Sequence, residues 1–411
     1  MSRRCAGEAL CFGAATGVAL VHGLDDAFAH RGPGLALSQH ALAGAIAIVA
    51  ALGAVLVFAR LRPGLRAALA WSFGGLALVN GTLHVLHAGR HGAAGSDVTG
   101  VAAVIAGVLL VGLAVAIPWR HRGEGTWRSR GVAVPAGLLL LLLVLGPVAL
   151  GIVATHRWRE PVGEAPGPAY RDVRFEAGDG LDLAGWYRPS RNGAAVLVVH
   201  GGSSDRKGSV AHAEMLARHG YGVLLYDARG RGDSDGSENN YGWDWAQDVE
   251  GALAFLEHRA GVDPARIGGL GLSTGADVLI EVAADRRHLP IVADGAAAAS
   301  FEDWHRLRGA ELGMVPGAVM FATIRVLSGD PPGPPLEDLI ASVREPALLI
   351  SAGAAEERDA NVAYAKAAGD SVEHWNLPDA DHTRGIREHP ARYERRVVAF
   401  FERALRAGVS R

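Results

Sequence analysis

Residues 265–286 read ARIGGLGLSTGADVLIEVAADR, an apolar run that ends in glycines and passes directly into a helical pattern. At the junction, Gly271-Leu272-Ser273-Thr274-Gly275 matches G-x-S-x-G between a strand and a helix, the setting that this spacing requires. The reason is steric. A turn this tight leaves no room for side chains two residues before and two after the serine. It lifts the Ser273 hydroxyl clear of the backbone and leaves it at a helix N-terminus, where negative charge is stabilised. A glycine-bracketed serine alone is a common accident of sequence; at a strand-to-helix junction it reads as a nucleophile.

The pattern around it is regular. VRFEAG and LDLAGWYRP form a hairpin about Gly178-Asp179-Gly180, and AAVLVVHGG (194–202) is a short apolar run of the kind buried inside a sheet. YGVLLYDARG (221–230), LPIVADGA (289–296), EPALLISAG (345–353) and VEHWNLPD (372–379) repeat that signature. Helical stretches lie between them, among them HAEMLARHG, WAQDVEGALAFLEHRAG and the final PARYERRVVAFFERAL. Strand and helix alternate, so the expected fold is α/β, a mostly parallel sheet with helices on both faces. Ligands in such sheets bind beyond the carboxyl ends of the strands, and every chemical motif of this half falls at such an end.

A serine nucleophile needs a base, and the base needs an orienting carboxylate. His382, in the loop PDADHTRG after the last strand, is the expected base. The other histidines are less well placed: His200 ends a strand in another motif, His374 lies within a strand, and His389 precedes a proline. Glu356, three residues past Gly353, is the expected acid, with Glu357 its near rival and Asp294 a remoter one. The oxyanion donors are expected to be the backbone N–H groups of Thr274 and of Gly202 in HGG (200–202), a tripeptide that is otherwise a plain strand-ending turn. This chemistry calls for no metal and no organic cofactor.

Together these elements, over about residues 170–408, resemble the α/β-hydrolase superfamily of serine hydrolases. The resemblance rests on HGG at 200–202, YDARGRGDSDG at 226–236, GLSTG at 271–275, LLISAG followed by Glu356, and DADH at 379–382. YDARGRGDSDG is similar to the loop after the fourth core strand in dienelactone-hydrolase-like and peptidase-like members. There the Asp and Arg are structural, which implies no catalysis for Asp227 and Arg229. Many relatives carry Asp where Glu356 stands, so the acid is where this chain departs from the pattern. In this fold an insertion such as 301–344 is commonly a cap. Trp304, Leu312, Met314, Met320 and Phe321 are then expected either to line an acyl pocket or to pack against the core.

The first half is of another kind. Segments 5–23, 38–59, 67–88, 98–118 and 132–154 are each apolar over about the 20 residues that a membrane-spanning helix needs. The expected organisation is a transmembrane helical domain over 1–155, a linker over 156–169 and an α/β-hydrolase domain over 170–411 with its cap at 301–344. Arg3 and Arg4, then Arg60, Arg62 and Arg66, then WRHRGEGTWRSR (119–130) mark one side as cytoplasmic. Five spans place the C-terminal domain outside the cytoplasm, on a multi-pass protein of the plasma membrane. A cleaved first segment, with Ala27-Phe28-Ala29 as its small-residue site, leaves that placement unchanged. Both cysteines, Cys5 and Cys11, lie in the first apolar run, so no disulfide supports the C-terminal domain. The net charge of −3 offers no basic face for nucleic acid.

His22, Asp25, Asp26, His30, His40, His84, His87 and His91 gather near the outer ends of the first three spans. Ionisable groups at membrane depth point to function, and imidazoles beside carboxylates suit Zn or Cu. His22, His84 and His87 are the metal-ligand candidates, against the plainer reading of interfacial, hydrated side chains. The expected function is a membrane-anchored serine hydrolase that cleaves an ester, thioester or amide of a small-molecule or lipid acyl substrate, esterase before peptidase. The alternative is a membrane sensor or transporter-like protein whose hydrolase-like domain binds a ligand.

Overall fold

The computed structural model describes residues 3–30, 37–91, 93, 95–121, 141–157, 159–286, 288–309 and 314–406. The chain divides into two compact units, Met1–His156 with Leu312–Gly329, and Arg157–Glu311 with Asp330–Arg411.

The first unit is helical. It comprises α1 (Arg3–Leu24, continued as a π-helical turn Asp25–Ala29), α2 (Ala41–Phe58), α3 (Pro63–His91), α4 (Asp97–Arg120) and α5 (Gly146–Thr155). Helices α3 and α4 pack along their length. Glycines permit this: a Cβ on Gly81 would lie 2.6 Å from the Gly100 carbonyl oxygen, and one on Gly107 would lie 2.7 Å from Leu78 Cγ. Small residues at such crossings let apolar helices bury backbone against backbone. Among the described residues, three helices, over Cys5–Ala29, Pro63–Gly89 and Asp97–Arg120, are long and apolar enough to cross a membrane, while Ala43–Phe58 and Leu143–Thr155 are shorter apolar helices. Much of the fifth expected span, residues 132–140, lies outside the described residues.

The second unit carries one eight-stranded sheet: β1 (Arg171–Glu176), β2 (Asp182–Arg188), β3 (Ala195–Val199), β4 (Gly222–Tyr226), β5 (Ile267–Leu272), β6 (Ile291–Asp294), β7 (Ala347–Ser351) and β8 (Val372–Asn376). Their spatial order is β1-β2-β4-β3-β5-β6-β7-β8. The hairpin β1–β2 is antiparallel and joins β4 antiparallel, and the remaining pairs are parallel. Alternation along β3 supplies both faces: Ala195, Leu197 and Val199 enter one apolar core, Val196 and Val198 the other. The helices α6 (Val210–Arg218), α7 (Ala246–Glu257), α8 (Thr274–Asp285), α9 (Phe301–Arg308), α10 (Met314–Ser328), α11 (Leu336–Ser342), α12 (Ala355–Ala368), α13 (Gly385–Glu388) and α14 (Pro390–Ala404) complete the chain.

The cap expected over 301–344 is not a single element. Helices α9 and α11 stay with the sheet, but α10 belongs to the helical unit, where it packs on α5. Composition explains the split: MVPGAVMFATIRVLS carries one charge, Arg325, and finds an apolar partner in GPVALGIVAT. A Cβ on Gly151 would lie 2.8 Å from Thr323 Cβ, so α5 accepts α10 at close range.

Candidate active site

Ser273 leaves β5 with φ 53° and ψ −122°, a conformation that costs a non-glycine residue of order 1–3 kcal/mol. Its flanking glycines are obligatory: a Cβ on Gly271 would run into the Gly275 carbonyl, and one on Gly275 into the carbonyls of Val199 and His200. The Ser273 N–H donates to the Asp294 carbonyl at the end of β6, at 2.8 Å, which anchors the turn. Thr274 then opens α8, so helix geometry leaves its N–H without an intrahelical acceptor.

The HGG loop lies against this turn. A Cβ on Gly201 would be 3.4 Å from Ser273 Cβ, and one on Gly202 would be 2.7 Å from Thr274 Oγ1. The two expected oxyanion donors, Gly202 and Thr274, are thus neighbours. His200, set aside as a base, holds the loop in place. Its buried ring accepts the Ala228 N–H on Nε2 at 3.0 Å and donates from Nδ1 to the Gly201 carbonyl at 2.8 Å. Burial lowers its pKa to about 4, so the ring stays neutral as this pattern requires. The sequence offers no signal for that role beyond its position before two glycines.

His382 follows β8, and its Nδ1 lies 2.7 Å from Glu357 Oε2. Glu357 is buried, and its Oε1 accepts the Ala352 N–H at 2.7 Å. The expected acid Glu356 does not bond His382: its side chain is 79% exposed and pairs with Arg308 at the surface. Successive residues on a helix point about 100° apart, and in the first turn of α12 only Glu357 faces the end of β7. Asp294, the remoter rival, accepts the Tyr393 hydroxyl at 2.7 Å, and burial pushes its carboxyl up to about 7. The hydrogen bond to Glu357 raises the His382 pKa above its ordinary 6.5, against the lowering effect of burial. The ring rests on the loop after β6, where a Cβ on Gly295 would lie 2.8 Å from His382 Cε1. The sequence reading did not single out Gly295, although its φ of 80° makes it a glycine position. The same loop leads back through Asp294 to Ser273.

Beside Thr274 a small pocket is lined by Tyr241, Trp243, Asp277, Glu281, Asp303 and Pro332, among others. None of the expected acyl-pocket residues lines it. Met314, Met320 and Phe321 lie on α10, Trp304 lies on α9 without reaching the pocket, and Leu312 is outside the described residues. Asp227 accepts the Arg206 guanidinium at 2.6 Å, and Arg229 donates to Asp248 at 2.8 Å and to Asp179. Both are tied into loop-bracing pairs.

In the helical unit, His84 and His87 both reach Asp97, at 3.2 and 2.9 Å, and His22 reaches Thr99 at 3.0 Å. The side chain of His91 lies outside those described. Among the described residues, no three such groups stand ready around one ion.

Residues 179–384, half of the chain, match the family X-Pro dipeptidyl-peptidase (S15 family), and the chain belongs to that family. An uncharacterized protein of Mycobacterium tuberculosis is 41% identical over 122 residues, 29% of this chain and 43% of that protein. The thiohydrolase aneE of Aspergillus aculeatus is 34% identical over 124 residues, 29% of this chain and 39% of its own. The chain spans less than half the length of either relative. A solved esterase of Pyrococcus furiosus superposes with a TM-score of 0.51 at 22% identity, over 61% of this chain and 98% of the esterase. The fold of the second unit is the α/β-hydrolase fold.

Proposed function

We propose that this protein is a membrane-anchored serine hydrolase that transfers an acyl group to water through an acyl-enzyme. The observation that carries the reading is the 2.7 Å His382–Glu357 bond on the loop that anchors a strained Ser273. His382 Nε2, the nitrogen left over by Glu357, takes the Ser273 hydroxyl proton as Oγ attacks the acyl carbon. The N–H groups of Thr274 and Gly202 hold the oxyanion. The same proton passes to the leaving oxygen, sulfur or nitrogen as its bond to the acyl carbon breaks. Water, deprotonated by His382, then frees the acid and restores Ser273. Among the described residues no hydrogen bond reaches Ser273 Oγ; in this reading His382 takes it up when substrate binds, as is common for sites without ligand.

The substrate class is an ester, thioester or amide of a small-molecule or lipid acyl group, with esters first. Membership of the S15 family favours a second reading, amide cleavage at a peptide N-terminus. We place the hydrolase domain outside the cytoplasm, tethered beside the bilayer. A fluorophosphonate probe tests the enzyme reading: wild type labels at one site and Ser273→Ala does not. Equal labelling of the two, or none of wild type, leaves the ligand-binding sensor instead. A panel of ester, thioester and X-Pro peptide substrates then ranks the acyl bonds.

A further inference from the structure

The helical unit holds a set of polar side chains that hydrolysis does not use. His22 from α1, Asp26 from the turn after it, His84 from α3 and His156 after α5 are drawn together among apolar helices. His22 and His84 are 1% and 0% exposed. The His22 and His84 rings meet edge to face with centroids 4.5 Å apart, and the His84 and His156 centroids are 5.9 Å apart.

Three of the four donors are oriented by a second group. The His22 Nδ1 is held by Thr99 Oγ1 at 3.0 Å, and Thr99 in turn donates to Asp25 at 2.7 Å. That leaves His22 Nε2 buried and without a hydrogen-bond partner. The His84 Nδ1 is held by Asp97 at 3.2 Å, which turns Nε2 toward Asp26 Oδ1, 3.7 Å away. Ser96 donates to that same Asp26 oxygen at 2.7 Å. Imidazoles whose far nitrogen is fixed by a carboxylate or hydroxyl are the usual supports of a metal ion.

We infer that His22, His84, His156 and Asp26 form a binding site for a borderline divalent transition ion, with Zn²⁺ as its type. Three imidazoles and one carboxylate suit Zn²⁺ and exclude a preference for Ca²⁺ or Mg²⁺. With bonds of about 2.0–2.1 Å, tetrahedral ligands sit roughly 3.3 Å apart and imidazole centroids roughly 5 Å apart. The 4.5 and 5.9 Å centroid spacings bracket the second value, and the 3.7 Å His84–Asp26 separation lies somewhat beyond the first. As placed, the donors do not surround one ion, so binding it requires their side chains to move together. Four protein ligands leave no open position, so the ion is structural. It ties α1 and α3 to His156, the last residue before the hydrolase unit.

The test uses full-length protein purified in detergent. Elemental analysis is expected to find about one Zn²⁺ per chain in wild type and in Ser273→Ala, and less than about a tenth of that in His22→Ala and in Asp26→Asn. Chelated wild type, refilled with Co²⁺, is expected to show the intense visible bands of a tetrahedral Co²⁺ centre, and His84→Ala is not. A single symmetric gel-filtration peak in detergent, and fluorophosphonate labelling of the variants that keep Ser273, confirm that each is folded. Wild type that holds no metal and gives no tetrahedral Co²⁺ spectrum overturns the site. So do folded His22→Ala and Asp26→Asn variants that keep their metal.

Discussion

The two adjacent glutamates offer the sharpest test of how the site works. Glu357 spends one carboxylate oxygen on the Ala352 N–H and the other on His382 Nδ1, both at 2.7 Å. In Glu357→Gln the amide oxygen must stay on Ala352, because only an acceptor satisfies that N–H. The amide NH₂ is then forced toward His382 Nδ1. It requires an acceptor there, which moves the imidazole proton to Nε2 and removes the lone pair that should deprotonate Ser273. A wrong tautomer of this kind costs about 10³–10⁴-fold in the acylation rate, or roughly 4–5.5 kcal/mol of barrier. Glu356→Gln loses only a solvent-exposed pair with Arg308, so its rate should stay within about threefold of wild type. The assay is the second-order rate of fluorophosphonate labelling of Ser273 at pH 7.5, which needs no knowledge of the natural substrate. A Glu357→Gln protein that labels at the wild-type rate, or a Glu356→Gln protein that loses the larger factor, refutes the assignment.

Other outcomes are fixed by the same geometry. His382 must be neutral to accept the proton, and the bond to Glu357 raises its pKa. The labelling rate should therefore fall to half at a pH above 6.5 in wild type and at a lower pH in Glu357→Gln. The sign for stability runs the other way: a raised His pKa stabilises the fold fully below about pH 6.5, and that contribution is lost as pH rises through the folded value. The melting-temperature advantage of wild type over His382→Ala should accordingly shrink from pH 6 to pH 9. The Arg206–Asp227 pair is buried at 4% and 0% exposure, so Arg206→Met strands a carboxylate. It should cost about 3–5 kcal/mol and lower Tm by roughly 6–20 °C in a thermal scan of the full chain. Glu164 is exposed in the segment before β1. In a Cys5→Ala, Cys11→Ala background, Glu164→Cys should react with a membrane-impermeant maleimide on intact cells, and protection there reverses the orientation proposed.

Much of this protein was legible from spacing alone. The alternation of five-residue apolar runs with amphipathic stretches determined the parallel sheet, because a strand covered on both faces has few alternatives to an unbroken apolar sequence. The glycines at 271 and 275 determined the turn at Ser273, since any Cβ there meets backbone. The position of His382 was legible because it lies in the loop just past the last strand. These are local facts, and local sequence carries them. Only the tertiary structure put Glu357 rather than Glu356 against His382, because one residue along a helix turns a side chain about 100° and the docking of α12 decides which one faces inward. The same holds for α10, whose apolar face suits a cap or a helical partner equally well until its neighbours are known. The pairing of His22 with Thr99 and of His84 with Asp97 spans 77 and 13 residues, distances across which no periodicity reaches.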